Sequence, residues 1–229
     1  MREKHKVAGE LLLIIVLVIN SMGVQFMTKS GFGISAISSV PYVFSKIFTF
    51  FTFGTWNYIF QGMLAISLMV MVKKLKPSYI VSFMAGFFFG KFLDVHAVWM
   101  SLLPNGIMFR FIYFLMGMIC LGFGIALANK CLMPIIPTDM FPRDFASICS
   151  VSYSKVKTVF DLSCLATTVV LSVAFCGGIE GIGAGTVICS LLTGKVVSLF
   201  QSIIEKHITV YRFTEKHSLT RRTRGRMAF

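Results

Sequence analysis

Long apolar runs follow one another along most of this chain, and they restrict the possible folds more than any other feature of the sequence. A helix needs about 20 mainly apolar residues to cross the hydrocarbon core of a bilayer. Six runs are close to that length, at about 7–27, 55–72, 78–102, 108–128, 158–175 and 185–204. The sequence therefore predicts an all-α membrane protein, in which residues 1–229 form a single domain of about six transmembrane helices.

The charged residues are few and unevenly placed. They make up 14% of the chain, whereas a soluble domain normally carries about 25%. The net charge is +13, and the basic excess lies mainly at both ends and at 73–76. This distribution favours a topology signal over a nucleic-acid groove, and the positive-inside rule predicts that both termini are cytoplasmic. The lipid bilayer is thus the expected partner, and no nucleic acid is expected.

Two regions break the apolar pattern, at 28–54 and at 130–157. Gly31, Gly33 and Pro41 interrupt the first, and three prolines interrupt the second. Backbone at membrane depth must find its hydrogen bonds in protein or water, so a buried re-entrant segment is one interpretation of such a region. The other is a short interfacial helix whose aromatic side chains lie among the lipid headgroups.

Short matches between the two halves predict an internal repeat. The matched segments are 56–57 with 160–161, 90–91 with 194–195, and 23–29 with 124–130. The number of residues that separates the two members is nearly the same in each match. Each half then consists of a span, a broken segment and two further spans. Because three spans is an odd number, the second half is expected to be inverted in the membrane, as in many secondary transporters. The repeats would cover about 7–103 and 108–205, before a basic cytoplasmic tail at 206–229; the alternative is coincidence within a restricted apolar alphabet.

Ionisable and polar side chains inside these regions form the predicted site. A charge at the bilayer centre costs roughly 2.5–3.5 kcal/mol on insertion scales, which makes it a candidate functional residue. The candidates for substrate binding are Asn57, Lys91, Asp94, Asp139, Asp161 and Lys195. In the functional interpretation they coordinate a polar or anionic solute or relay protons, and both lysines approach one central region. In the structural interpretation, buried ion pairs hold the helices together. Asp94 is spaced to pair with Lys91, and Asp139 and Asp161 are the carboxylates available to the remaining lysines, which include Lys155 and Lys157.

Other motifs carry weaker signals. The glycine-rich stretch 181–185 either presents backbone N–H groups to an anion or forms a tight turn with close helix packing. The six cysteines lack the spacing of metal ligands and are interpreted as small apolar residues. The sequence has no nucleophile–base spacing and no metal motif, so we expect a protein that is not an enzyme and needs no cofactor or metal.

Five segments together carry a family resemblance. They are Phe53-Gly54-Thr55-Trp56-Asn57, Ser82 to Asp94, Pro134 to Phe141, Lys157 with Phe160-Asp161, and 181–186 with Gly194-Lys195. In these segments the chain resembles the YitT/YczE-like family of bacterial integral membrane proteins. The resemblance implies a multi-pass protein of the bacterial cytoplasmic (inner) membrane, but it implies no mechanism and no catalytic residue.

Two functions of different classes follow from these features. The first is a secondary transporter of a small polar or anionic solute, in which replacing Lys91 or Lys195 by Met abolishes flux. The second is a non-transporting membrane scaffold or accessory protein that recruits a partner, in which the lysines of the spans are dispensable.

Overall fold

The computed structural model describes residues 5–74 and 76–211, and this part of the chain is almost entirely helical. The elements are β1 (His5–Ala8), α1 (Gly9–Ser30), α2 (Ala36–Ile47), α3 (Phe53–Val72), α4 (Pro77–Ser101), α5 (Ile107–Lys130), α6 (Pro137–Cys149), α7 (Tyr153–Leu171, continued by a π-helical turn at Ser172–Cys176), α8 (Ala184–His207) and β2 (Ile208–Tyr211). Six helices are long and apolar enough to cross a membrane, namely α1, α3, α4, α5, α7 with its π-helical turn, and α8. The prediction of an all-α membrane protein with six spans is therefore confirmed.

Two short strands join the ends of the helical domain. Residues 5–8 precede α1 and pair in parallel with residues 208–211, which follow α8. The first span consequently begins at Gly9, slightly later than the apolar pattern predicts. The pairing also places both ends of the helical domain on the same side, as an even number of spans requires. Most of the predicted basic tail, from residue 212 onward, lies outside the described residues.

Each broken region contains one short helix that is packed among the spans. The helices α2 and α6 have 12 and 13 residues, which is too short to cross a bilayer. Ser35 caps the start of α2 by accepting a hydrogen bond from the Ser38 N–H, and Pro137 occupies the first turn of α6, where its missing N–H has no cost. Ser39 and Val43 of α2 are fully buried. Packing inside the protein is thus favoured over an interfacial position for this helix.

The helices α1 and α5 form the centre of the molecule and approach each other through glycines. A Cβ atom added to Gly117 would lie 2.9 Å from the carbonyl oxygen of Gly23, and one added to Gly124 would meet the side chain of Asn20. Gly122 allows an equally close approach of α5 to Val196 of α8. Small residues stabilise helix pairs in membranes because they bring the backbones into extended van der Waals contact. The glycines of α5 thus permit the close approach of this helix to both α1 and α8.

The remaining helices pack around this centre in corresponding pairs. The helix α1 packs against α4, and α5 packs against α8. The short helices cross between halves, since α2 packs against α3 and α7, and α6 packs against α7 and α3. The correspondence is incomplete, because α3 and α4 pack along each other whereas α7 and α8 make at most a marginal contact. The smaller contact between α4 and α6 likewise has at most a marginal counterpart between α8 and α2.

Candidate functional site

The first turn of α6 places the carboxyl group of Asp139 at an internal cavity. The cavity lies between α1, α4 and the segment that leads into α6, and its volume is about 10 Å³. This is about the space that one water molecule occupies. Besides Asp139, the lining residues are Leu13, Val16, Leu17, Asn20, Phe89, Ala128, Ile135 and Ile136. A carboxyl group and a carboxamide are therefore the polar side chains of an otherwise apolar cavity.

The carboxamide belongs to Asn20, in the middle of the first span. The residue is 7% exposed, and its Oδ1 atom is buried without a hydrogen-bond partner within the described part of the chain. This oxygen faces Gly124 of α5, and leaving such an acceptor unsatisfied costs free energy. Sequence reasoning missed Asn20, although an Asn inside an apolar run is itself a weak polar signal.

Charged groups of α6 and α7 interact with Asp139 and influence its pKa. Desolvation by the surrounding protein raises the pKa of Asp139; the positive charge of Lys157 acts in the opposite direction, the negative charge of Asp161 adds to the increase, and Arg143 also lowers the value. The net result is a pKa above the ordinary value for an aspartate. The residue as a whole is only partly buried, which places Asp139 at the border of the protein interior.

Of the carboxylates and lysines left open for pairing in this region, Asp161 and Lys157 form an ion pair within α7. Lys157 Nζ lies 2.7 Å from Asp161 Oδ1, one helical turn away, and both side chains are about one-third exposed. Because Asp139 interacts electrostatically with both members, Asp139 and Asp161 belong to one cluster of charges around Lys157. Two of the six predicted site residues are thus brought together by the packing of α6 against α7.

A second polar group lies in α3, which packs against α6. Asn57 is 3% exposed, and its Oδ1 atom accepts a hydrogen bond from Gln61 Nε2 at 2.5 Å. The Oε1 atom of Gln61 faces Gly86 of α4 and has no partner among the described residues. Asn57 is therefore part of a buried amide pair, and Gln61, which sequence reasoning did not select, completes it.

The segments between spans hold the short helices in place. Ser82 of α4 donates a hydrogen bond to the carbonyl oxygen of Ile135, just before α6. In the other half, the Gly185 N–H donates to Phe32 O at 2.8 Å, and the Ile34 N–H donates to Gly181 O at 2.9 Å. The glycine-rich stretch 181–185 is thus a turn that packs tightly against the segment before α2, which is the second of its two predicted roles.

Asp94 has a structural partner at the start of α3. Its two carboxylate oxygens accept hydrogen bonds from the Gly54 N–H at 3.0 Å and from the Thr52 hydroxyl at 2.8 Å. A carboxylate at a helix N-terminus is stabilised by the unsatisfied N–H groups and by the helix dipole. The structure therefore joins Asp94 to α3 in place of the pair with Lys91 that the sequence spacing indicated.

Lys91 and Lys195 both lie on outer surfaces of the described structure. Lys91 is exposed on α4, and its ammonium group lies 5.6 Å from the ring centroids of both Tyr58 and Phe87. Lys195 is exposed on α8, a helix that packs against α5. The structure does not bring the two ammonium groups into the cavity beside Asp139, and their participation in a shared site stays a prediction.

Comparison with known proteins gives a single result for nearly the whole chain. Neither the curated proteins nor the solved structures include a match. A family model covers residues 7–202, which include all the helices from α1 to α7 and most of α8. The chain therefore belongs to DUF6198, a family of unknown function.

Proposed function

We propose that this protein is a secondary transporter of a small polar or anionic solute, with Asp139 as its central ionisable group. The observation that carries the proposal is a short, non-spanning helix that brings Asp139 to a small cavity, which Asn20 of the first span also lines. Transporters bind substrates and coupling ions near interrupted helices at the centre of the membrane. An ionisable group that couples to a solute needs a pKa that its surroundings can shift, as those of Asp139 do.

The size of the cavity can be compared with what a transport cycle requires of its closed state. A volume of about 10 Å³ admits one water-sized species and no organic solute. A transporter must alternately open its site to the two sides of the membrane, and between those states the site is closed. The small cavity is compatible with such a closed state, in which Asp139 and Asn20 are held in position without the solute.

Reconstituted protein provides the test. A library of small polar and anionic solutes is first screened by thermal shift on the detergent-purified protein, and each stabilising solute is then followed into proteoliposomes. We expect Asp139→Asn to reduce flux at least about tenfold, because the amide cannot exchange a proton and the change removes a charge from the site. Asp144→Asn on the same helix is the matched control, since Asp144 pairs with Arg143 at 3.2 Å outside the cavity.

The result that would contradict transport is equally definite. If the purified protein is folded, no solute shifts its melting temperature, and Asp139→Asn behaves as the control in every flux assay, then Asp139 is a structural residue. The Lys91→Met and Lys195→Met variants are measured in the same assay, because the predicted loss of flux in these variants is a separate claim about the two exposed lysines.

We further propose that the membrane is the bacterial cytoplasmic membrane and that both termini are cytoplasmic. The pairing of β1 with β2 supports a common side for the two ends. The basic excess at both ends and at 73–76 favours the cytoplasmic side by the positive-inside rule.

The alternative is a membrane scaffold, and the exposure of α7 and α8 favours it. Only 17% of the apolar stretch of α7 and 11% of that of α8 is buried, compared with 56% for α1. A scaffold would use such a surface to hold a partner protein. Purification of the protein with a stoichiometric partner, in the absence of any solute-dependent thermal shift, would support this function over transport.

A further inference from the structure

The two halves of the molecule differ most in one helix pair. In the first half, α3 and α4 pack along each other, and Gly90 makes this possible because a Cβ atom at that position would meet the backbone carbonyl group of Gly54. In the second half, α7 and α8 make at most a marginal contact. The packing of α1 against α4 has its counterpart in that of α5 against α8, and each short helix packs against both α3 and α7, so the α3–α4 pair is the largest difference between the halves.

The residue of α8 that corresponds to Gly90 is Gly194, 104 positions later. A Cβ atom added to Gly194 would have no atom within 4 Å. Its φ angle is not positive, so neither crowding nor backbone conformation requires glycine here. Glycine inside a helix costs roughly 0.5–1 kcal/mol relative to alanine. The described conformation therefore gives no physical reason for a glycine at this position.

Other residues of the α3–α4 contact show the same difference from the residues that lie 104 positions later in α7 and α8. In the α3–α4 pair, Tyr58 and Phe87 lie with ring centroids 5.3 Å apart. At the spacing of 104 residues they correspond to Leu162 and Leu191, which are 59% and 70% exposed. Ser190, which corresponds to the buried Gly86, is also exposed. The surface of α8 thus carries small and large residues at the positions that α4 uses to pack against α3, but without a partner.

We propose that the protein has a second conformation in which α7 packs against α8 through Gly194, while α3 and α4 separate. The two halves would then exchange roles, and the cavity at Asp139 would open toward the opposite side of the membrane. As a step of transport this exchange rests on the proposed function, but the conformational change itself can be measured without any solute.

Cysteine crosslinking tests the second conformation directly. The protein is prepared in a background in which the six native cysteines are replaced by Ala or Ser, and its fold is checked by gel filtration and thermal unfolding. One variant carries Leu162→Cys with Leu191→Cys, and the matched variant carries Tyr58→Cys with Phe87→Cys. Each is treated in membranes with a short bis-maleimide, and the products are identified by mass spectrometry and by their size on a gel.

We expect both cysteine pairs to crosslink within one chain. Adding Gly194→Leu should reduce the 162–191 product by about tenfold, because extra methylene groups in a close helix contact are strongly unfavourable. The same substitution should leave the 58–87 product unchanged, because position 194 is open in the described conformation. Joining positions 58 and 87 first with a disulfide should in turn suppress the reaction between 162 and 191.

Three outcomes would overturn the proposal. The first is that the 162–191 pair stays unreacted while the 58–87 pair reacts. The second is a 162–191 product that joins two chains, which would indicate that a second copy covers this surface. The third is that Gly194→Leu has no effect on the 162–191 product. None of these results depends on finding a solute, so each would remove the second conformation while leaving the flux test of Asp139 to decide the proposed function.

Discussion

Single residues of this protein owe their properties to how they are packed, and Asp139 and Lys91 show the contrast. Lys91 lies inside an apolar run and Asp139 in the second broken region, and the sequence makes both of them candidates for the site. The structure encloses Asp139 beside a cavity and leaves Lys91 on an outer surface against two aromatic rings. The difference was not predictable, because the direction in which a helical side chain points is set by the neighbouring helices.

The raised pKa of Asp139 predicts a pH-dependent stability. The folded protein keeps the Asp139 proton to a higher pH than the unfolded chain, so the free energy of unfolding falls as pH rises from about 3.8 through the folded-state pKa. Each unit of difference corresponds to about 1.4 kcal/mol. We expect Asp139→Asn to unfold at a higher temperature than the wild type at pH 8, and this advantage to shrink as the pH approaches 4. Thermal unfolding in detergent across this range is the measurement, and an equal advantage at every pH would contradict the assignment.

At the scale of helices, the length and hydropathy of each span can be read from the sequence. Which helices pack against each other cannot. The six spans were predictable because each apolar run has the length that a bilayer requires. The helices α2 and α6 could be located only as interruptions, since Pro41 and Pro142 are unusual inside a helix. Gln61 could not be recognised as a member of the buried amide pair with Asn57. One amide in an apolar run does not reveal which side of the helix is covered by neighbouring helices.

The two corresponding glycines predict opposite effects of the same substitution. Gly90→Ala places a methyl group against the Gly54 carbonyl and should lower the melting temperature by several degrees, because the backbones of α3 and α4 must separate. Gly194→Ala meets open space and should raise it slightly, because alanine favours a helix by up to about 1 kcal/mol. Differential scanning fluorimetry of both variants in one detergent checks the pair. Equal destabilisation would mean that position 194 is already packed in the resting state.

At the scale of the whole molecule, the topology has a directly measurable consequence. With both ends on the cytoplasmic side, the six spans put the α4–α5 turn at Asn105 outside and the α3–α4 connection at Lys74 inside. In a cysteine-free background, Asn105→Cys should therefore react with a membrane-impermeant maleimide added to intact cells. Lys74→Cys should react only after the membrane is permeabilised, because the reagent cannot cross the bilayer. Labelling in the reverse order would contradict the proposed orientation and would place the α5–α7 connection, which contains Asp139, on the side of the cell exterior.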